Sequence, residues 1–267
     1  MHVLHYAALF GAAMLAGAIN SVAGGGTLIA FPLLLHFGVN PIVANVTTTT
    51  ALCPGQLGSL WGYRKEISSI RPLIIRLLIP SLAGGFLGGY LLLRTDSETF
   101  AHLIPFLILA ATLLFLAQEP VSRWLKKRTG DKAVVNEDGS IVPQNWLGVM
   151  LFQFGIAVYG GYFGAGIGIL MLAALGILGL TDIHRMNGLK SINGFAINVV
   201  ASVIFIVKGK VDLPIAGLMA VGAVLGGYFG AGIAKRIGQK NVRRTVIAIG
   251  FILTAQQLYQ VYFRQQS

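Results

Sequence analysis

Asn45 and Asn187, Gly84-Gly85 and Gly226-Gly227, Gly88 and Gly230, and Arg94 and Arg236 all stand at one constant spacing in the chain. The same offset lays Gly24 on Gly166 and Gly26 on Gly168, so one register runs without a gap from the first glycines to the paired arginines. That is a duplicated unit rather than chance glycine content.

Both copies are built of apolar segments. These run at about 4–22, 27–38, 41–62, 72–93 and 99–117, then 145–163, 169–180, 183–207, 213–234 and 242–262, five per half. With 55% hydrophobic and 11% charged residues and a mean hydropathy of +0.75, the apolar side chains outnumber what one globular core can bury. The chain therefore reads as an all-α polytopic protein of the cell membrane. Residues 4–22 follow no basic region and precede no clear cleavage site, so they read as mature structure rather than a signal peptide. The net charge of +11 sits mostly in loops, where anionic lipid headgroups explain it without nucleic acid. Cys53 is the one cysteine, which excludes a disulfide framework and a Cys-based metal site.

Two glycine-rich breaks interrupt this pattern. Gly24-Gly25-Gly26 precedes a short run (27–38), and Gly164-Ala165-Gly166-Ile167-Gly168 precedes another (169–180). Each glycine costs about 1 kcal/mol against Ala inside a helix. Either short run gives only about 18 Å of helix, against about 30 Å of hydrocarbon. Each is a half-helix whose positive end aims at the midplane, where transporters hold anionic groups. A packing notch between helices would use the same glycines.

Loop charge gives an orientation. The stretch 119–144 carries Arg123, Lys126, Lys127, Arg128 and Lys132, and the 235–244 loop carries Lys235, Arg236, Lys240, Arg243 and Arg244. Placing these inside, with Arg64, Lys65 and Arg71, leaves the 94–98 loop outside, although 235–244 is its repeat partner. Only Lys208 and Lys210 run against this. The expected architecture is two inverted repeats of about five helical segments, each with a broken half-helix. Residues 1–118 form the first repeat, 119–144 a basic cytoplasmic linker and 145–267 the second repeat. In such folds the site lies near the midplane, with the two half-helices approaching from opposite faces.

The segments after the half-helices carry polar stripes. Asn45, Thr48, Thr49 and Gln56 share one helical face and superpose at the same offset on Asn187, Lys190, Ser191 and Asn198. Such residues also serve as interhelical glue, worth about 0.6 kcal/mol each. Lys190 is the sharpest of them. All nine Asp and Glu lie at segment ends or in loops, so an ammonium costing about 2.5–3.5 kcal/mol at membrane depth lacks an obvious carboxylate partner. It calls for an anion or a water-filled cavity, unless it snorkels to the surface. Arg76 sits a turn into its segment and reads as snorkelling; His36 and His184 lie at segment ends and read as interfacial.

The order Gly17, Ala23-Gly24-Gly25-Gly26-Thr27, Pro32-Leu33-Leu34, Gly38-Val39-Asn40-Pro41, Ala44-Asn45, Thr47 and Gly62-Tyr63-Arg64-Lys65 resembles the sulfite exporter TauE/SafE family of permeases. The second-half glycines, Gly226-Gly227 and Lys235-Arg236 fit it too, so the resemblance covers nearly the whole chain. It implies transport of a small sulfur-containing anion such as sulfite, a sulfonate or sulfoacetate, with members differing in substrate and direction.

The expected function is a secondary transporter of such an anion, with export favoured. A passive anion channel, or an uptake carrier for another small organic anion, is the alternative. An enzyme is not expected: no paired carboxylates, His-rich metal motif or Ser/His arrangement sits at membrane depth. No ATP-binding motif is present, which excludes a self-contained pump. The expected substrate-binding residues are Gly24, Gly25, Gly26, Thr27, Asn45, Thr48, Thr49, Gly166, Gly168, Asn187, Lys190 and Ser191, with no catalytic residue, metal or cofactor. The partners are a small anion and the lipid bilayer.

Overall fold

The computed structural model describes residues 3–22, 25–64, 67, 71–128, 146–177, 180, 183–237 and 239–262. Among these residues there are helices and turns and no strand, as expected of an all-α membrane protein. The first half contains α1 (Val3–Val22), α2 (Thr27–His36), α3 (Pro41–Leu52), α4 (Leu57–Gly62), α5 (Arg71–Arg94) and α6 (Ser97–Arg128). The second contains α7 (Trp146–Tyr162), α8 (Ile167–Ile177), α9 (Ile183–Val207), α10 (Leu213–Ile237) and α11 (Gln239–Tyr262). Among the described residues, three stretches are long and apolar enough to cross a membrane: Pro72–Arg94, Ser97–Ala117 and Arg185–Val207.

The half-helices are as short as expected, 10 residues for α2 and 11 for α8. The segments after them differ between halves. α9 runs unbroken for 25 residues, whereas the matching 41–62 segment stops at Leu52, passes through a 3₁₀ turn (Pro54–Gln56) and resumes as α4. The cause is Pro54, which has no N–H to donate and crowds the carbonyl four residues back; its counterpart in α9 is Ala196. Gln56 thus leaves the helix that carries Asn45. α6 also continues as helix to Arg128, into the expected linker; the remainder, 129–144, lies outside the described residues.

The connection after α2 obeys local rules. Asn40 caps α3, its Oδ1 accepting from Ile42 N (3.0 Å) and Val43 N (3.4 Å), with Pro41 in the first turn. Its Nδ2 donates to Ser97 Oγ (2.9 Å), tying the start of α3 to the start of α6.

Glycines set the helix packing. Gly226 of α10 lies against the Met14 carbonyl of α1, and its repeat mate Gly84 of α5 lies against the Phe154 carbonyl of α7. A Cβ at either position would strike backbone, so small residues are what let these helices meet. The crossing of α6 and α11 is made where Gly250 meets Thr112. There Thr112 Oγ1 donates to Ile108 O (2.7 Å) and Thr254 Oγ1 to Gly250 O (2.8 Å), the same bond at equivalent places in the two repeats. Packing thus exchanges equivalent helices: α1 on α10 and α7 on α5, α3 on α10 and α9 on α5, with α6 on α11.

The exposed side chains are largely apolar, among them Trp61, Ile75, Tyr228, Phe229 and Ile252, as a lipid-facing surface requires. Arg76 lays its guanidinium over the Trp146 ring (4.5 Å), at the first residue of α7, which suits an interfacial arginine.

Candidate functional site

Both breaks turn on left-handed glycine, Gly25 at φ +92° in the first and Gly164 and Gly166 at φ +82° and +80° in the second. The carbonyls of Gly25 and Gly166 each accept the N–H three residues on, from Leu28 (3.0 Å) and Ile169 (3.0 Å). Downstream, Val39 N donates to Leu34 O and Leu180 N to Leu175 O (both 3.1 Å). These matched bonds are spaced one position closer than the sequence register. The equivalent of Gly166 is therefore Gly25 rather than Gly24. The sequence register returns at the starts of α3 and α9, so the second connection holds the extra residue beyond Leu180.

α6 brings the two breaks together. A Cβ on Gly25 would run into the Phe115 ring, and one on Gly166 would stand 3.5–3.7 Å from Leu114 and Ala111. Residues 111–115 span about one helical turn. Phe31 of α2 also packs edge-on against Phe163 of the second break (5.6 Å between centroids). The half-helix α2 thus meets the second break; its main neighbours are α1, α3 and α11, while those of α8 are α6, α7 and α9.

The breaks differ in what their N–H groups do. Gly26 N donates to Asn20 Oδ1 of α1 (2.7 Å), and the Ile29 and Ala30 N–H groups return to the Gly26 carbonyl (3.0 and 3.1 Å). The first half-helix therefore starts with one of its leading donors, Gly26 N, capped by a side chain. At the second break Tyr159 OH donates to Ala165 O (2.8 Å), and Phe163 N and Gly164 N both donate to Tyr159 O (2.9 and 3.3 Å). The N–H groups of Gly166, Ile167 and Gly168 find no acceptor among the described residues, which leaves an open helix N-terminus.

Lys190 lies over that terminus. A Cβ on Gly168 would stand 3.1 Å from Lys190 Cδ and 3.6 Å from Cγ, so the lysine stem uses the space a larger residue would fill. Asn187, Lys190 and Ser191 are all half-buried, and none bonds to a described residue. Spaced i, i+3, i+4, they share one face of α9. The first-half stripe is more deeply buried: Asn45, Thr48 and Thr49 are 1%, 0% and 8% exposed. Asn45 reaches the same break from α3, Nδ2 donating to the carbonyl of Tyr162, the last residue of α7 (3.0 Å). Thr27 opens α2 and is half-buried; Gly24 lies outside the described residues. Among the described residues no cluster of His, Cys, Asp or Glu has metal-binding geometry.

Asn193 stands out in sequence among the polar residues of 183–207, but the sequence does not single out the other polar residues placed here. Asn20 caps the first half-helix and Tyr159 closes the second break. Ser81, Gln153 and Asn193 join α5, α7 and α9 in a buried network: Gln153 Nε2 donates to Ser81 Oγ (2.8 Å), which contacts Asn193 Oδ1 (2.9 Å) and Leu77 O (2.7 Å). Their repeat counterparts, Ala223, Gly11 and Ala51, are small and apolar, so the register hides the network. Gln256, Gln257 and Gln260 of α11 line a recess of about 230 Å³ with Pro32 and His36 of α2.

A family model, "Sulfite exporter TauE/SafE", matches residues 9–256. The chain is 29% identical over 255 residues to a "Probable membrane transporter protein" of Haemophilus influenzae, covering 95% of this chain and 94% of that one. It is 26% identical over 254 residues to "Probable membrane transporter protein YfcA" of Escherichia coli K12, covering 94% and 88%. It is 29% identical over 263 residues to "Probable membrane transporter protein ORF9" of a Sinorhizobium species, covering 96% and 93%. No solved structure matches the chain.

Proposed function

As a member of the sulfite exporter TauE/SafE family the chain is a multi-pass membrane transporter, and we propose that it exports a small sulfur-containing anion, such as sulfite, a sulfonate or sulfoacetate, bound at the second glycine break. The observation that carries this reading is Lys190 lying across Gly168 at the open N-terminus of α8. Unpaired N–H groups at a helix start favour an oxyanion, and the ammonium adds a charge-assisted contact about twice as strong as a neutral one. Asn187 and Ser191, on the face of Lys190, supply the neutral contacts that orient the oxygens. The capped first break makes the weaker anion site of the two, and its glycines serve chiefly to let α2 start against α1 and α6.

The exchange of equivalent helices across the molecule supports a duplicated unit, which we read as inverted about the membrane plane. A monoanion leaving a cell gains about 2.3 kcal/mol per 100 mV, inside negative. Export then needs no further energy source, which favours it over uptake.

Purified protein in vesicles, with sulfite trapped inside and an imposed potential, tests this. Saturable, potential-driven efflux that Lys190→Ala abolishes is expected. Efflux that never saturates would make the protein a channel, and full activity in Lys190→Ala would remove the proposed site.

A further inference from the structure

Four side-chain oxygens are buried with no hydrogen-bond partner among the described residues: Asn45 Oδ1, Thr48 Oγ1, Thr50 Oγ1 and Ser202 Oγ. Several helical hydroxyls of this chain take the default bond to the carbonyl four residues back, as Ser81, Thr112, Thr245 and Thr254 do. Thr48 does not. Asn45 and Thr48 stand three apart on α3, which puts their Cβ atoms about 5–6 Å from each other on one face. Thr50 lies about 200° further round the helix from Thr48 and takes no part.

The Asn45 amide is oriented by its partner. The Tyr162 carbonyl can only accept, so the amide nitrogen must face it, and the orphan is the oxygen. Tyr162 ends α7, and the last carbonyls of a helix lack intrahelical donors and carry the negative end of its dipole. Gly160 and Gly161 accept no backbone N–H from beyond the helix among the described residues, because Phe163 and Gly164 both turn back onto Tyr159. The Asn45 oxygen therefore sits, closed to solvent, at the negative end of a broken helix, with the buried Thr48 hydroxyl one turn further along the same face of α3. Acceptors buried this way are costly unless a donor or a cation meets them, and the C-terminal ends of broken membrane helices are places where cations are coordinated.

We propose that Asn45 Oδ1 and Thr48 Oγ1, with the free carbonyls at the end of α7, bind a monovalent cation such as Na⁺ at the α7 side of the second break. The break then offers its two helix ends to opposite charges, cation at the end of α7 and anion at the start of α8. The linkage between them rests on the anion reading above; the cation site itself does not. Attraction across the break makes each ion raise the other's affinity by the same factor. Binding rather than co-transport is the claim, and outward movement of the anion stands where the cation stays behind.

Thermal unfolding of the detergent-purified protein in NaCl against choline chloride at equal ionic strength tests the site with no sulfur anion present. Saturable stabilisation by Na⁺, of about 3 °C or more, is expected from mass action on the folded state. Thr48→Val removes the oxygen and keeps the shape, and should raise the half-saturating Na⁺ concentration at least tenfold; Thr48→Ser should restore it. Lys190→Ala should keep the Na⁺ response while losing sulfite binding. Equal melting in Na⁺ and choline would overturn the proposal, leaving a buried water on these oxygens, whatever sulfite does. A Na⁺ response unchanged in Thr48→Val would equally overturn it.

Discussion

Lys190 rests its side chain where Gly168 has none, Cδ standing 3.1 Å from the position a Cβ would take. Lysine on α9 and glycine on α8 are thus one device: the missing side chain lets the ammonium stem cross the first turn of the half-helix. Gly168→Ala should push the stem aside by a few tenths of an ångström. The stem is flexible, so the fold should survive and the half-saturating sulfite concentration should rise several-fold. Lys190→Arg should recover only part of what Lys190→Ala loses, because a compact ammonium and a planar fork are not interchangeable. Sulfite titration of the three variants checks both statements.

The left-handed glycines should separate backbone strain from crowding. Ala at either Gly25 or Gly166 costs about 1–2 kcal/mol for its conformation. At Gly166 the neighbours stand 3.5 Å or more away, so that is the main cost. At Gly25 the new methyl also meets the Phe115 ring. Gly25→Ala should therefore unfold at the lower temperature, and adding Phe115→Leu should return part of the loss. The same second change should do nothing for Gly166→Ala. Equal rescue of both would place the breaks elsewhere relative to α6.

A third expectation concerns the Ser81, Gln153 and Asn193 network, which is buried and internally bonded. Ser81→Ala leaves Gln153 Nε2 and Asn193 Oδ1 short of a partner and should cost about 1–3 kcal/mol. Replacing all three with the small residues of the other half (Ser81→Ala, Gln153→Gly, Asn193→Ala) removes the orphaned groups but opens cavities. Using Gln153→Leu in place of Gln153→Gly should recover stability over Ser81→Ala alone. Denaturation of the single and triple variants gives the comparison.

Much of the architecture is legible in the sequence because hydrophobic length and glycine placement are local properties. The apolar segments fall where helices form, and the two short runs are the two short helices. Pro54 is equally visible, yet a polar stripe counted by periodicity alone passes straight through it to Gln56, and the proline's missing N–H breaks the helix. The register slip between Gly25 and Gly166 is hidden because the members of a glycine triplet are interchangeable in sequence. Only a dihedral distinguishes them. Asn20 and Tyr159 are hard to find for a different reason: each acts on a backbone atom across a turn, at Gly26 and Ala165, which no helical periodicity reveals. Lys190 and Gly168 each stand out in the sequence; that one lies on the other is a tertiary fact.

Which helices are paired does not orient the two halves, but the direction of the pairing bears on it: His102 of α6 meets Tyr262 of α11 and Thr112 meets Gly250, so these equivalent helices run antiparallel, which favours inversion. Exchange of α1–α10 for α7–α5 follows from a two-fold axis along the membrane normal as well as from one in its plane. Sidedness tests the two directly, because a parallel duplication puts equivalent loops on one face and an inverted one puts them on opposite faces. Thr99 and Asn241 are equivalent positions of the repeat, in the first turns of α6 and α11, and both are exposed. Cys53 is buried and removable as Cys53→Ala. In that background Thr99→Cys and Asn241→Cys should react with an impermeant maleimide from opposite sides of the membrane, Thr99→Cys from outside whole cells and Asn241→Cys only after permeabilisation. This accords with the loop charges, since the 94–98 loop holds Arg94 against Asp96 and Glu98 whereas 235–244 holds five Lys and Arg. Labelling of both from one side would make the repeats parallel. The two helix N-termini after the breaks would then point the same way, and the opposed half-helices of the proposed transporter would have to be abandoned.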